Sequence, residues 1–421
     1  MDVQTPSRLG AGSRRKRFPS ARASASPTAN LALATVAFIA CFSAWGLIAP
    51  LAGRFEDDLD LSSTETSLLI AVPVVLGSLL RLPMGMLTDR LGGRRMFAAV
   101  LAASALPVVL LGQAGSYWSL MLVGLLLGVA GSSFAVGVPF VSGWYGKERQ
   151  GFALGLYGMG NIGTAVAAFS APAIVDAWGR ETLGWSAAIL LLATAAVFAL
   201  LARDAPRPGA PARYREVIRT GWRLYRLSLF YFVTFGGFVA MAVYLPKLLR
   251  DWFDLSLVDA GVRAAAFTIA ATAARPVGGW LADRVGAYPV LVLAFAGVAA
   301  DAAVLAVLAV QPRVAPVSIA CLTLAAFLGA GSGAVFKLVP QEFPADTGAA
   351  AGIVGAAGGL GGFFPPIVMG IVNDTLGSYA LGFVGLLLFA AGCLLLAVWL
   401  LRSAPAPELR GLHRPRGGTF A

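Results

Sequence analysis

Arg81 and Arg275 lie inside long apolar stretches, where a cation is hard to accommodate. Each opens the same pattern: Arg81-x-x-x-Gly85-x-x-x-Asp89-Arg90-x-Gly92 and Arg275-x-x-x-Gly279-x-x-x-Asp283-Arg284-x-Gly286. If each stretch is a helix ending at its Asp-Arg pair, the arginine sits about 12 Å inside, at 1.5 Å per residue. A guanidinium held at such depth in a bilayer is unfavourable by at least about 2.5–3.5 kcal/mol. That depth argues against snorkelling to the surface. A structural ion pair would need an acid at the same level, and the one deeply placed acid, Asp301, lies in a stretch with no matching motif. What remains is recognition of a small anion. The planar guanidinium fork offers two parallel hydrogen bonds to a planar oxyanion, which lysine cannot match.

Other residue types in these stretches could serve the same task. Asn161 places a carboxamide in mid-helix, where it needs a polar partner. Phe134, Tyr231 and Phe235 are aromatics whose ordinary use is packing. Asp89 with Arg90 and Arg94, and Asp283 with Arg284, place acids and bases at helix ends. Charges there can pair differently in two states, as a gate requires. Gly160, Gly163, Gly358, Gly359, Gly361 and Gly362 suit close helix packing. Gly158-x-Gly160-x-x-Gly163 matches a dinucleotide fingerprint in letters only. No strand precedes it and it lies in an apolar span. No phosphate-binding loop, metal-ligand cluster or catalytic cluster is present, so no cofactor, metal or enzymatic activity is expected. Cys41, Cys321 and Cys393 stand singly in apolar runs, and the lone histidine, His413, is near the C-terminus.

These residues need an apolar solvent around their helices. The 421-residue chain is 58% hydrophobic and only 13% charged, with mean hydropathy +0.78. A soluble domain carries roughly a quarter charged residues. Twelve runs near the length of a bilayer core recur: 30–52, 65–88, 96–113, 118–143, 152–175, 185–202, 227–249, 257–281, 289–309, 316–339, 349–373 and 380–402. The expected fold is an all-α membrane protein. It has a basic tail (1–29), a six-helix bundle (30–202), a linker (203–226), a second bundle (227–402) and a C-terminal tail (403–421).

The net charge of +11 does not point to nucleic acid, because the cations cluster in tails and linker. Arg14, Arg15, Lys16 and Arg17 precede the first run. Arg207, Arg213, Arg215, Arg219, Arg223 and Arg226 fill the linker, and Arg410, Arg414 and Arg416 the C-terminal tail. The positive-inside rule puts both termini and the linker in the cytoplasm.

The halves repeat. The arginine motif recurs in spans two and eight. Gly160-Asn161-Ile162-Gly163…Asp176-x-x-Gly179 in span five recurs as Gly358-Gly359-Leu360-Gly361…Asp374-x-x-Gly377 in span eleven. Both halves start on one side, so the repeat is parallel, as expected of a rocking carrier with a mid-membrane site.

At these residues the chain resembles the major facilitator superfamily, through Gly85-x-x-x-Asp89-Arg90-x-Gly92-Gly93-Arg94-Arg95. It narrows to the nitrate/nitrite porter family through five motifs. These are Arg81-x-Pro83-x-Gly85, Ala274-Arg275-Pro276-Val277-Gly278-Gly279, Gly158-Met159-Gly160-Asn161-Ile162-Gly163, Tyr231-x-x-Thr234-Phe235-Gly236 and Gly358 to Pro366. The resemblance spans residues 30–402. It implies a central site with one arginine from each half, Arg81 and Arg275, on either side of a planar anion. Asn161, Tyr231, Phe235 and Phe134 are its further contacts, and an aromatic pair sandwiches the flat ion. One departure stands out: the repeat matches Asn161 to Gly359.

The resemblance further implies a monomer in the plasma membrane that carries nitrate and nitrite. The absence of histidine from every span and the scarcity of central carboxylates favour exchange over proton symport. Carriage of cyanate or a small carboxylate, and a non-transporting sensor or membrane enzyme, are the alternatives.

Overall fold

In the computed structural model, residues 26–146, 149–205, 214–219, 221–344 and 346–403 are described. The basic cluster 14–17, linker residues 206–213, the C-terminal arginines beyond Arg402 and His413 lie outside them.

The apolar runs form membrane-length helices: span one Pro27–Leu59, two Ser63–Leu91, three Gly93–Gln113 and four Tyr117–Ser142. Spans five and six share the stretch Gln150–Leu201. They divide at Gly179, whose φ of 84° is accessible to glycine at little cost. Then follow seven Trp222–Phe253, eight Leu257–Val285, nine Ala287–Leu308, ten Val314–Glu342, eleven Thr347–Leu376 and twelve Ala380–Ser403. The fold is therefore the twelve-span helical one expected.

Several boundaries move. Residues 27–29 and 222–226, assigned by hydropathy to tail and linker, are the first turns of spans one and seven. Span one continues past residue 52 to Leu59, through Glu56, Asp57 and Asp58. Hydropathy falls where charges begin, but backbone hydrogen bonding does not, so a helix projects beyond its apolar core. The linker itself contains a short helix, Tyr214–Arg219.

The repeat is visible in the backbone. Spans one and seven both end on an aspartate in the left-handed region, Asp60 (φ 52°) and Asp254 (φ 50°). Spans two and eight both begin on a serine N-cap, Ser62 accepting from Glu65 N–H and Ser256 from Asp259 N–H. Both end at a glycine of positive φ, Gly92 and Gly286. The halves meet where span two packs on span eleven and span five on span eight. Since two repeats as eight and five as eleven, these contacts are equivalents of one another.

Glycine makes the central helices fit. A Cβ on Gly160 would overlap the Phe38 ring, and one on Gly163 the Ile39 carbonyl, both in span one. In span eleven, a Cβ on Gly358 would strike Tyr231, on Gly361 the Phe232 carbonyl, and on Gly362 Val239, all in span seven. Span five thus approaches span one as span eleven approaches span seven.

Candidate functional site

The site is assembled from the central spans of both halves. Arg81 stands ten residues before the end of span two, and Arg275 ten before the end of span eight. Both side chains are buried, 2% and 4% exposed. Arg81 donates from Nε to the Gly131 carbonyl of span four (3.3 Å) and from Nη1 to the Gly355 carbonyl of span eleven (2.6 Å). Arg275 donates from Nη2 to the Tyr231 hydroxyl of span seven (2.9 Å). Its Nε faces Gly158 of span five so closely that a Cβ there would lie 2.8 Å away. Each arginine therefore reaches across to the opposite half.

Between them stands an aromatic slot. Phe134 and Phe235, from opposite halves, face each other with centroids 5.9 Å apart and planes 16° from parallel. The Arg81 Cζ lies 5.7 and 5.0 Å from these two centroids, and the Arg275 Cζ 5.7 and 5.4 Å. A flat ion in van der Waals contact with two rings needs them about 7 Å apart, twice the contact distance between heavy atoms. A tetrahedral ion needs more. Tyr231 stacks directly on Phe235 at 4.8 Å, planes 2° apart, which leaves no room between those two. Phe134 faces both of them across the halves, Phe235 at 5.9 Å and Tyr231 at 6.1 Å, with all three rings nearly parallel.

All six residues singled out in the sequence are buried, but they are not equivalent. Asn161 lies in a single 3₁₀ turn, Met159–Asn161, and donates from Nδ2 to the carbonyl of Gly158 (2.7 Å). Two buried polar atoms here have no protein partner among the described residues: Arg275 Nη1 and Asn161 Oδ1. Such atoms call for an explanation, and a bound ligand is one. The exchange of Asn161 for Gly359 in the repeat has a steric cause. A Cβ at Gly359 would overlap Ser78 Oγ and lie 3.1 Å from Arg81 Nη1.

Two residues were missed in the sequence. Phe336 of span ten sets its ring edge-on against Phe134 (4.9 Å) and Tyr231 (4.6 Å). Tyr157 of span five stacks on Phe38 and Phe134 and donates to the Ser133 carbonyl. Phe336 had only a weak signal: Gly131-Ser132 recurs as Gly331-Ser332, but in that register Phe336 matches Val136 and not Phe134. Tyr157 had none beyond its place next to Gly158.

The deep acid Asp301 lies elsewhere, accepting a hydrogen bond from Thr323 (2.9 Å) between spans nine and ten. Neither site arginine has a carboxylate in ion-pair range among the described residues.

The site is shut at both ends. At the end where spans six and seven are linked, the two acids cross between halves and the bases do not. Asp89 lies over the first turn of span eleven, where a Cβ on Gly348 would overlap both its carboxylate oxygens. Asp283 accepts from Phe152 N–H in the first turn of span five (3.2 Å). Both carboxylates thus face the positive end of a helix dipole. In this closed state the arginines expected at the gate make no contact with the other half among the described residues. Arg94 is tied within its own half, its side chain to the Ala199 carbonyl and its N–H to Asp204. Arg284 stacks on Trp280 of its own helix (4.1 Å), and Arg90 is exposed. Arginine is long enough to satisfy itself locally, whereas a short carboxylate finds its donors at the neighbouring helix terminus.

At the far end, Lys247 of span seven sits between Glu56 of span one (3.0 Å) and Asp251 (3.6 Å). Thr64 N–H of span two donates to Asp374 of span eleven (3.1 Å). The Tyr379 hydroxyl donates to Asp251, and burial pushes that phenol well above its ordinary pKa, so it stays a donor.

One prediction follows from the dipole contact. Asp89→Asn removes a charge worth about 0.5–1 kcal/mol at a helix terminus, so opening at the linked end should become about two- to fivefold more populated. Thiol labelling of a cysteine placed at Ala349, buried in the same first turn, reads this directly. An unchanged labelling rate would remove Asp89 from the latch.

Comparison with known proteins agrees with this architecture. Residues 33–366 and 228–417 match the Major Facilitator Superfamily. The chain is 45% identical over 391 residues to the probable nitrate/nitrite transporter NarK2 of Mycobacterium tuberculosis, covering 90% of this chain and 97% of that one. It is 40% identical to the nitrite extrusion protein of Bacillus subtilis (88% and 94% covered). It is 39% identical to the probable nitrate transporter NarT of Staphylococcus epidermidis (88% and 96%). Among solved structures it shares its fold with the human organic anion transporter MFSD10 (TM-score 0.66, 14% identity, 89% and 99% covered). It shares it too with a bacterial homologue of the human lysosomal transporter Spinster (TM-score 0.64, 18% identity, 90% and 98%). The chain belongs to the nitrate/nitrite porter family of the Major Facilitator Superfamily.

Proposed function

We propose that this protein carries nitrate and nitrite across the plasma membrane by alternating access, as a monomer, exchanging one anion for the other. The observation that carries the reading is the pair of buried arginines, one from each half, flanking one aromatic slot. The two facing rings are nearly parallel at 5.9 Å, so parting by about 1 Å would admit a flat oxyanion and not a tetrahedral one. The Arg275 Nη1 donor, buried without a protein partner, fits an acceptor oxygen. The relatives named as nitrate or nitrite transporters support the choice of ion. The linked end, with the basic tails and linker, is the cytoplasmic one by the positive-inside rule.

Two guanidiniums enclosed in a low-dielectric site repel each other, so drawing the halves together is unfavourable without an anion between them. A bound nitrate or nitrite balances the charge and permits closure. The carrier then crosses loaded in both directions, which is exchange. Among the described residues no carboxylate lies beside either arginine, which supports exchange over proton symport, since symport needs a group to take the proton.

The test is counterflow in proteoliposomes. External labelled nitrate should enter severalfold faster when nitrite is inside, and an imposed proton gradient alone should do little. Uptake that follows the proton gradient and ignores internal nitrite would replace exchange by symport. Competition by cyanate or a small carboxylate, but not by sulfate or phosphate, would move the substrate to another planar anion.

A further inference from the structure

The latch acid of the second half has a partner that the transport reading does not use. Lys337 of span ten pairs its Nζ with Asp283 Oδ1 and is only 6% exposed. Four lysines stand against twenty-eight arginines in this chain, so a buried lysine is a marked choice. It follows Phe336, which edges the aromatic slot. In the register set by Gly131-Ser132 and Gly331-Ser332, the span-four counterpart of Lys337 is Gly137, which carries no charge.

Span five of the opposite half covers this ion pair. Phe152 N–H donates to Asp283 Oδ2 (3.2 Å). A Cβ on Gly151 would come within 2.7 Å of Asp283 Oδ1 and 3.0 Å of Lys337 Cδ. The compact ammonium fits beneath that glycine as a point charge.

Spans eight and ten belong to the same half, so the ion pair survives when the halves part at the linked end. The contact that breaks is Phe152 N–H to Asp283. Opening therefore uncovers a carboxylate about 12 Å along span eight from Arg275, at 1.5 Å per residue, on the side from which an anion approaches. A bare carboxylate there would repel the anion and compete with it for Arg275. Paired with an ammonium, it presents almost no net charge.

We propose that Lys337 is a charge-compensating residue for anion access from the linked end. It neutralises Asp283 once span five withdraws. The acid can then latch the closed state without repelling cargo in the open one. The inference rests on the anion-carrier reading above.

The experiment measures half-saturating nitrite at each membrane face, in inside-out and right-side-out vesicles. Lys337→Gln should raise the value at the linked-end face about tenfold, while the far-face value stays within about twofold. Adding Asp283→Asn to it should restore the linked-end value, because the vestibule is again uncharged. Asp283→Asn alone should lower it, because the acid that opposes the anion is gone while Lys337 keeps its charge. An unaltered linked-end value in Lys337→Gln, or no recovery in the double variant, overturns the proposal. Equal loss at both faces with a lower unfolding temperature, not rescued by Asp283→Asn, makes the pair merely structural. If Lys337→Gln does not fold, Asp283→Asn alone decides, and an unchanged value there also overturns it. If the unaltered protein moves no nitrite at either face, the carrier reading fails instead.

Discussion

Arg275→Lys is expected to cut nitrate exchange about a hundredfold while the protein still folds. The side chain divides its work. Nη2 holds the Tyr231 hydroxyl at 2.9 Å, and Nη1 is left buried with no hydrogen-bond partner among the described residues. Lysine keeps the charge but loses the fork. Its single head cannot hold Tyr231 and an anion in the same fixed plane. A charge-assisted hydrogen bond contributes about 1.5–3 kcal/mol, and each 1.4 kcal/mol is tenfold in affinity. Losing one or two such bonds gives a drop of this size. The measurement is counterflow, with the nitrate-induced rise in unfolding temperature as an independent reading of binding. Unchanged nitrate affinity in Arg275→Lys would remove the bidentate argument. Arg81→Lys should differ in kind. Arg81 spends its bonds on the carbonyls of Gly131 and Gly355, joining span four to span eleven, so its loss should also loosen closure.

Gly333→Val is expected to lower the unfolding temperature by on the order of 10 °C and to abolish exchange. Gly333 of span ten faces span eight, where a Cβ would overlap the Arg275 carbonyl and lie 2.8 Å from Gly279 N. The obstacle is backbone and cannot rotate away. Span ten must shift, taking Phe336 from the slot and Lys337 from Asp283 with it. Detergent melting and counterflow on one preparation test this together. A stable, active Gly333→Val protein would mean that spans eight and ten are less tightly packed than this structure places them. Gly385 of span twelve, with nothing within 4 Å of a Cβ, is the control position, where Gly385→Ala should change little.

Much of this site was legible from spacing. The depth of Arg81 and Arg275 follows from counting residues to the helix end, and the parallel repeat follows from two motifs at fixed offsets. Both rest on periodic geometry, which a sequence carries directly. The gate was legible only in part. Asp89 and Asp283 cross between halves, while Arg90, Arg94 and Arg284 do not. Motif spacing places all five at helix ends, but which of them faces a neighbour depends on helix rotation and on what lies opposite. Phe336 and Lys337 were passed over because an aromatic and a cation near the end of an apolar span have common structural uses.

The sequence by itself determined the solvent, the number of spans, the repeat and the depth of two cations, because hydropathy and rise per residue are local quantities. Only the tertiary structure decided that Phe134 of one half faces Phe235 and Tyr231 of the other together. Only it showed that Gly359 has no room for a second asparagine, and that each latch acid meets a helix terminus of the other half. Those outcomes depend on distances between residues a hundred or more positions apart, which are set by how glycine-lined helices settle against one another.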